Sequence, residues 1–269
     1  MADNALPTFE TIRLHLQDAV AVVTLNRPQR LNAAPPPMFD EIGAALRLLP
    51  GLGARALVIT GEGRAFCSGA DLQNRSSDAG VSRGTQAHRS LTQHYAPTML
   101  ALAHLPVPVI TAVNGVAAGI GCSLALAGDF TLAARSAYFL QAFVNIGLVP
   151  DGGASWMLAR LVGKARATQM MLLGERIPAE QAQDWGLIYK AVDDATLMAD
   201  AMALATRLAQ GPTLALGLMR QGLARALEQS YEQALATEAA HQHLAGDSAD
   251  AAEGGKAFLE RRKPVFQGR

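Results

Sequence analysis

The chain has 269 residues, half of them apolar and 17% charged, with 23 basic and 23 acidic side chains. A sequence of that length and apolarity buries a full core and lies outside the disordered range. Its balanced charge provides no basic field for nucleic acid or an anionic lipid surface, and no stretch is long and uncharged enough to span a bilayer, so neither partner is expected.

In chain order, residues 11–16 and 20–25 read as strands joined at Gln17 and Asp18, a hairpin. A polar loop holds Arg27, Pro28 and Asn32, and Pro35, Pro36 and Pro37 lead into a helix over 38–49. Proline is cheap there because the first helical N–H groups lack partners anyway. The β-branched run 56–60 predicts a buried strand, and a glycine segment, Ser68-Gly69-Ala70-Asp71, follows it. The stretch 78–84, rich in Ser, Gly and charge, reads as a mobile loop. Leu91, Tyr95, Met99 and Leu102 recur at helical spacing and predict a helix over 86–104, which Pro106 and Pro108 end. A strand over 107–113 leads to a second glycine segment, Gly115 to Gly121, a short helix over 122–127 and strands at 130–133 and 138–140. From Ser155 onward only helices are read, with breaks at Gly163, Gly174, Pro178, Gly186, Gly211, Gly246 and Gly254-Gly255. Strands early and helices late predict an α/β fold, with a sheet-bearing core over 1–200 and a helical region over 201–269.

Cys67 and Cys122 fall inside the glycine segments among small residues, a setting for buried thiols rather than a disulfide framework, which fits a reduced, cytoplasmic environment. The N-terminus lacks the basic-then-apolar pattern of a secretory signal. His15, His88, His94 and His104 show no pairing that points to a metal, and His241 and His243 alternate on a helix, so no metal site is expected.

The glycine turns carry the chemistry. Gly119-Ile120-Gly121 after a strand resembles a dinucleotide-binding turn, but Asp129, the acid available, comes far too soon to hold a ribose. The alternative is an oxyanion site, with the Ile120 N–H at a helix N-terminus as one donor and the Ala70 N–H as the other. A packing role alone for the glycines is the competing reading. One carboxylate, Asp151, follows in a Pro-Asp-Gly turn, as an acid-base group or as a helix cap.

From Val20 through Pro28 to the C-terminal Phe258, Leu259 and Arg261, the chain resembles the crotonase superfamily, the enoyl-CoA hydratases and isomerases. Within it the segments around Gly115, Ile146 to Asp151, Trp185-Gly186 and Gly246 resemble the 1,2-epoxyphenylacetyl-CoA isomerase branch. The resemblance implies a spiral core of repeated ββα units and a C-terminal helical region that packs against neighbours in a homotrimer or dimer of trimers. It implies an acyl-CoA substrate, with coenzyme A as carrier and no other cofactor, and a thioester oxygen held by the Ala70 and Ile120 N–H groups. The two glutamates of the hydratases fall on Ser123 and Phe143, so both carboxylates are missing, and Asp151 matches the isomerases' base. Asp71, beside the donor Ala70, matches a structural residue. By the same resemblance Gln29, Arg30 and Leu31 run along the adenine end of CoA, Arg261 meets a phosphate, and Gly119, Phe143, Tyr95 and the loop 76–86 border the acyl group. The expected activity is isomerisation of an acyl-CoA through a stabilised enolate. A hydratase and a CoA-binding protein without catalysis are the alternatives.

Overall fold

The computed structural model describes residues 6–72 and 80–269. β1 (Ile12–Gln17) and β2 (Val20–Leu25) form the expected antiparallel hairpin. α1 (Pro36–Leu48) begins in the proline run and buries Met38, Phe39, Ile42 and Leu46. The chain then alternates between two sheets. β3 (Ala56–Gly61) joins the first and β4 (Ala65–Cys67) the second, before α2 (Arg83–Ser90), a π-helical turn (Leu91–Tyr95) and α3 (Ala96–Ala103). The next passes are β5 (Val109–Val113), β6 (Val116–Ala118) and α4 (Ile120–Leu126), then β7 (Phe130–Ala134), β8 (Tyr138–Leu140) and α5 (Ala154–Leu173). A last pass adds β9 (Arg176–Pro178), α6 (Ala179–Asp184), β10 (Lys190–Val192) and α7 (Leu197–Ala209). Three further helices follow: α8 (Thr213–Ala226), α9 (Tyr231–Gly246) and α10 (Ala249–Leu259).

The first sheet runs β1-β2-β3-β5-β7-β10 and the second β4-β6-β8-β9. Strands β2, β3, β5, β7 and β10 are parallel neighbours, as are β4, β6 and β8. Parallel strands covered on both faces read as unbroken apolar runs, and β3 and β5 are buried nearly throughout. The stacked ββα passes are the spiral that the sequence predicts.

Two expectations are corrected. Strand content does not stop at 140, because β9 and β10 complete the two sheets. At three residues each they are too short to show a period, and Pro178 is tolerated because β9 is an edge strand. α7, which contains the expected boundary at residue 200, packs on β2, β3, β5 and β7. Gly254 and Gly255 do not break a helix; they lie inside α10. That helix is clamped by the tail after it. The Asp250 carboxylate accepts the Gln267 and Gly268 N–H groups at 2.6 and 2.8 Å, and Glu253 pairs with Arg262.

The helix expected over 86–104 starts at Arg83, where the Ser82 hydroxyl caps it, and is interrupted by the π turn. Pro97 supplies the reason: it has no N–H to return to the carbonyl four residues back, and the Ala96 N–H instead reaches the Leu91 carbonyl, one residue further than in an α-helix.

Candidate active site

The two glycine segments meet at the ends of β4 and β6. An isolated parallel bridge joins Ala34 to Ala70. The Ala34 N–H donates to the Gly69 carbonyl at 2.8 Å, and the Asp71 N–H donates to the Ala34 carbonyl at 3.0 Å. In such a ladder the intervening residue turns its own groups the other way, so the Ala70 N–H is directed away from Ala34. The loop is braced from behind, since the Ser68 N–H donates to the Leu31 carbonyl at 3.0 Å.

Ile120 is the first residue of α4, where N–H groups have no intrahelical partner. The Cys122 and Ser123 N–H groups fold back onto the Gly119 carbonyl at 2.9 and 3.1 Å. Close approach explains Gly121: a Cβ there would lie 2.4 Å from the Cys67 carbonyl oxygen, so only glycine lets α4 start against the end of β4. A Cβ on Gly119 would lie 3.8 Å from the Gly69 Cα, which marks where the segments touch.

The turn carrying Asp151 packs on the same spot. Gly152 has φ 60°, and a Cβ on it would come within 2.4 Å of Ile120 Cδ1 and 2.8 Å of Ser123 Cβ. The Ser123 hydroxyl donates to the Asp151 carbonyl at 2.9 Å. Helix α5 starts at Ala154 with Gly153 at its cap, so Asp151 lies before the capping position.

Ala70, Asp71, Phe143 and Asp151 share the wall of a cavity of about 410 Å³, closed by Pro35, Leu148 and Val149 and by the helical side chains of Gln86, Leu91, His94 and Tyr95. That volume suits a small acyl group. Gly119 and Ile120 lie just behind this wall; Ile120 is buried, and a Cβ on Gly119 would sit 3.6 Å from the Phe143 ring. Tyr95 donates its hydroxyl to the Ala34 carbonyl at 2.9 Å. Of the loop 76–86, residues 76–79 lie outside the described residues. A smaller cavity of about 260 Å³, between Leu49, Leu105, Val107 and Leu218, holds no ionisable side chain and offers no acid-base chemistry.

Asp71 is the second carboxylate of the larger cavity, and it is locked. Its side chain is 2% exposed, with Arg27 at 3.0 Å and Arg30 at 3.4 Å. A buried carboxylate held by two guanidiniums is committed to that ion pair, and removing either partner is costly. Arg27 has no role in the sequence reading, although its place in the polar loop beside Arg30 was the available signal. Asn32 was also passed over: it is fully buried, accepts from the Arg27 N–H and donates to the Glu62 and Ala65 carbonyls.

The remaining expected residues are not all brought together. Gln29, Arg30 and Leu31 form a 3-10 turn and its cap outside the cavity wall, joined to it through the Arg30–Asp71 pair. Arg261 is exposed just beyond α10 with φ 52°, and no contact among the described residues links it to the cavity. Both thiols are fully buried, and burial pushes Cys67 up to about 11 and Cys122 up to about 12, so neither is a nucleophile near neutral pH.

A two-sheet spiral of stacked ββα passes is the crotonase fold, and structural comparison supports that class. The crystal structure of an enoyl-CoA hydratase from Bacillus anthracis superposes with a TM-score of 0.90 at 29% identity, covering 97% of this chain and 100% of that one. The family model described as enoyl-CoA hydratase/isomerase matches residues 15–269, and the chain belongs to that family of enzymes. Among relatives, the 1,2-epoxyphenylacetyl-CoA isomerase of Escherichia coli K12 is 44% identical over 97% of this chain and 100% of its own length. A Rhodobacter capsulatus protein named probable enoyl-CoA hydratase is 45% identical with the same coverage.

Proposed function

We propose that the chain is an acyl-CoA isomerase that works through a thioester enolate. One observation carries this reading: Asp151 lines the cavity together with Ala70, while Asp71, the other carboxylate among the described residues of its wall, is held by two arginines. The positions matching the hydratase glutamates hold Ser123, which fixes the Asp151 turn, and Phe143, an apolar wall. Adding water across a double bond calls for acid-base help at both the oxygen and the α-carbon, whereas shifting a double bond calls for one group that takes a proton and returns it elsewhere.

In this reading the thioester oxygen accepts hydrogen bonds from the Ala70 and Ile120 N–H groups. The Asp151 carboxylate removes an acidified C–H proton, leaving an enolate whose negative oxygen the two amides hold. The carboxylic acid so formed returns the proton to another carbon and is restored as carboxylate. Coenzyme A enters as the carrier of the substrate, and the proton steps use this chain's own groups with no other cofactor. The 44% identity to a 1,2-epoxyphenylacetyl-CoA isomerase supports offering that ring-epoxide ester first. Gln29, Arg30 and Leu31 take the adenine end of CoA. Arg261 reaches a phosphate from a second copy in a trimer or dimer of trimers, a role favoured by its exposure beside the exposed Phe258 and Leu259.

Chromatographic separation of isomers, read together with product mass, tests the assignment. Incubation with a 3-enoyl-CoA and with 1,2-epoxyphenylacetyl-CoA should give products of unchanged mass, and crotonyl-CoA should give little 3-hydroxybutanoyl-CoA. Rapid gain of one water on crotonyl-CoA would establish the hydratase, the activity named for several relatives. CoA binding without turnover of any ester would establish a protein that has lost catalysis.

A further inference from the structure

The helical side of the cavity carries a histidine that the proton steps leave unused. His94 lies in the π turn and contributes to the same wall as Asp151, while its Nδ1 faces the Asp40 carboxylate of α1 at 2.8 and 3.0 Å. A carboxylate at Nδ1 fixes the proton on that nitrogen and sets the ring plane, leaving Nε2 as the ligand-facing atom. Nε2 has no protein partner among the described residues. Gln86, Arg89 and Gln93 share this wall, but His94 is the one of the four whose side chain is held by a hydrogen bond among the described residues. A few fixed polar groups in a mainly apolar cavity are what orient a ligand. Here the opposing surface is Phe143, Leu148 and Val149.

We infer that His94, positioned by Asp40, is a specificity-determining residue whose Nε2 accepts a hydrogen bond from a hydroxyl on the acyl group, remote from the thioester. The inference rests on the reading of this cavity as the acyl site. It assigns the two ends of the substrate to different parts of the fold: the thioester to the crossing glycine turns, and a distal oxygen to the π turn. The widened turn matters because it changes which side chains of this helical segment face the cavity, and Leu91, Gln93, His94 and Tyr95 all reach the wall.

The test uses two 3-enoyl-CoA esters of equal chain length, one unsubstituted and one with a terminal hydroxyl, with their saturated counterparts for calorimetric binding. In His94→Phe, the kcat/KM ratio of hydroxylated to plain ester should fall about five- to tenfold, the loss of one hydrogen bond. The ratio of binding constants for the saturated pair should fall alike. His94→Gln, which retains an acceptor, should recover part of the ratio, and Asp40→Ala should lower it by an intermediate amount. A ratio unchanged in His94→Phe, or a fall in both esters alike, would overturn the assignment. Binding preference that depends on His94 without turnover by the wild type would sink the isomerase and keep this residue's role. Failure of the wild type to bind either saturated ester would sink both.

Discussion

The floor and the helical wall of the cavity are built from different materials. At the floor the proposed donors of Ala70 and Ile120 belong to the main chain, and glycines at 69, 119, 121 and 152 let three segments approach within van der Waals contact. On the wall, Gln86, Leu91, His94 and Tyr95 act through side chains carried on one bent helical segment. A backbone donor cannot be altered by ordinary substitution, so the floor suits a step common to many thioesters. A side-chain wall can change with little cost to the fold, so it suits discrimination among acyl groups.

The sharpest way to break this contrast is at the floor's proposed acid-base group. Asp151→Asn should lower kcat for isomerisation by about 10²–10⁴-fold with the fold intact, measured by steady-state kinetics and circular dichroism. Unchanged turnover would remove Asp151 from the chemistry. Replacing the Ala70 amide by an ester through incorporation of the α-hydroxy analogue deletes that N–H and leaves the side chain. A loss of about 100-fold in kcat is expected, equivalent to roughly 3 kcal/mol of transition-state stabilisation.

Smaller effects sharpen the packing side of the comparison. Gly121→Ala forces a Cβ onto the Cys67 carbonyl, and backbone cannot rotate away as a side chain can. A stability loss of about 1–3 kcal/mol in urea denaturation is expected. Ser123→Ala removes the 2.9 Å hydrogen bond to the Asp151 carbonyl and should cost about 1 kcal/mol. Because that bond holds the turn, kcat should fall with it while binding of a saturated acyl-CoA changes less.

That the two glycine segments end strands was legible because glycine spacing after β-branched runs is a local signal. The roles of Ala70, Ile120 and Asp151 came from the family resemblance, since each turn taken alone also fits a packing or capping role. The π turn was foreshadowed by Pro97 but read as uninterrupted helix, since apolar residues still recur at helical spacing through it. The His94–Asp40 pair left no local trace: its members lie 54 positions apart, on helices that meet only when α1 packs against the π turn. The strands β9 and β10 escaped because three residues carry no period, and their partners β8 and β7 lie far back in the chain.

By itself the sequence determined the N-terminal hairpin, the longer strands and helices, and the glycine turns, because these follow from backbone sterics and side-chain chemistry within a few residues. Tertiary structure decided what holds the Asp71 carboxylate. The arginines at 27 and 30 reach it because the Ala34–Ala70 bridge draws that loop against them.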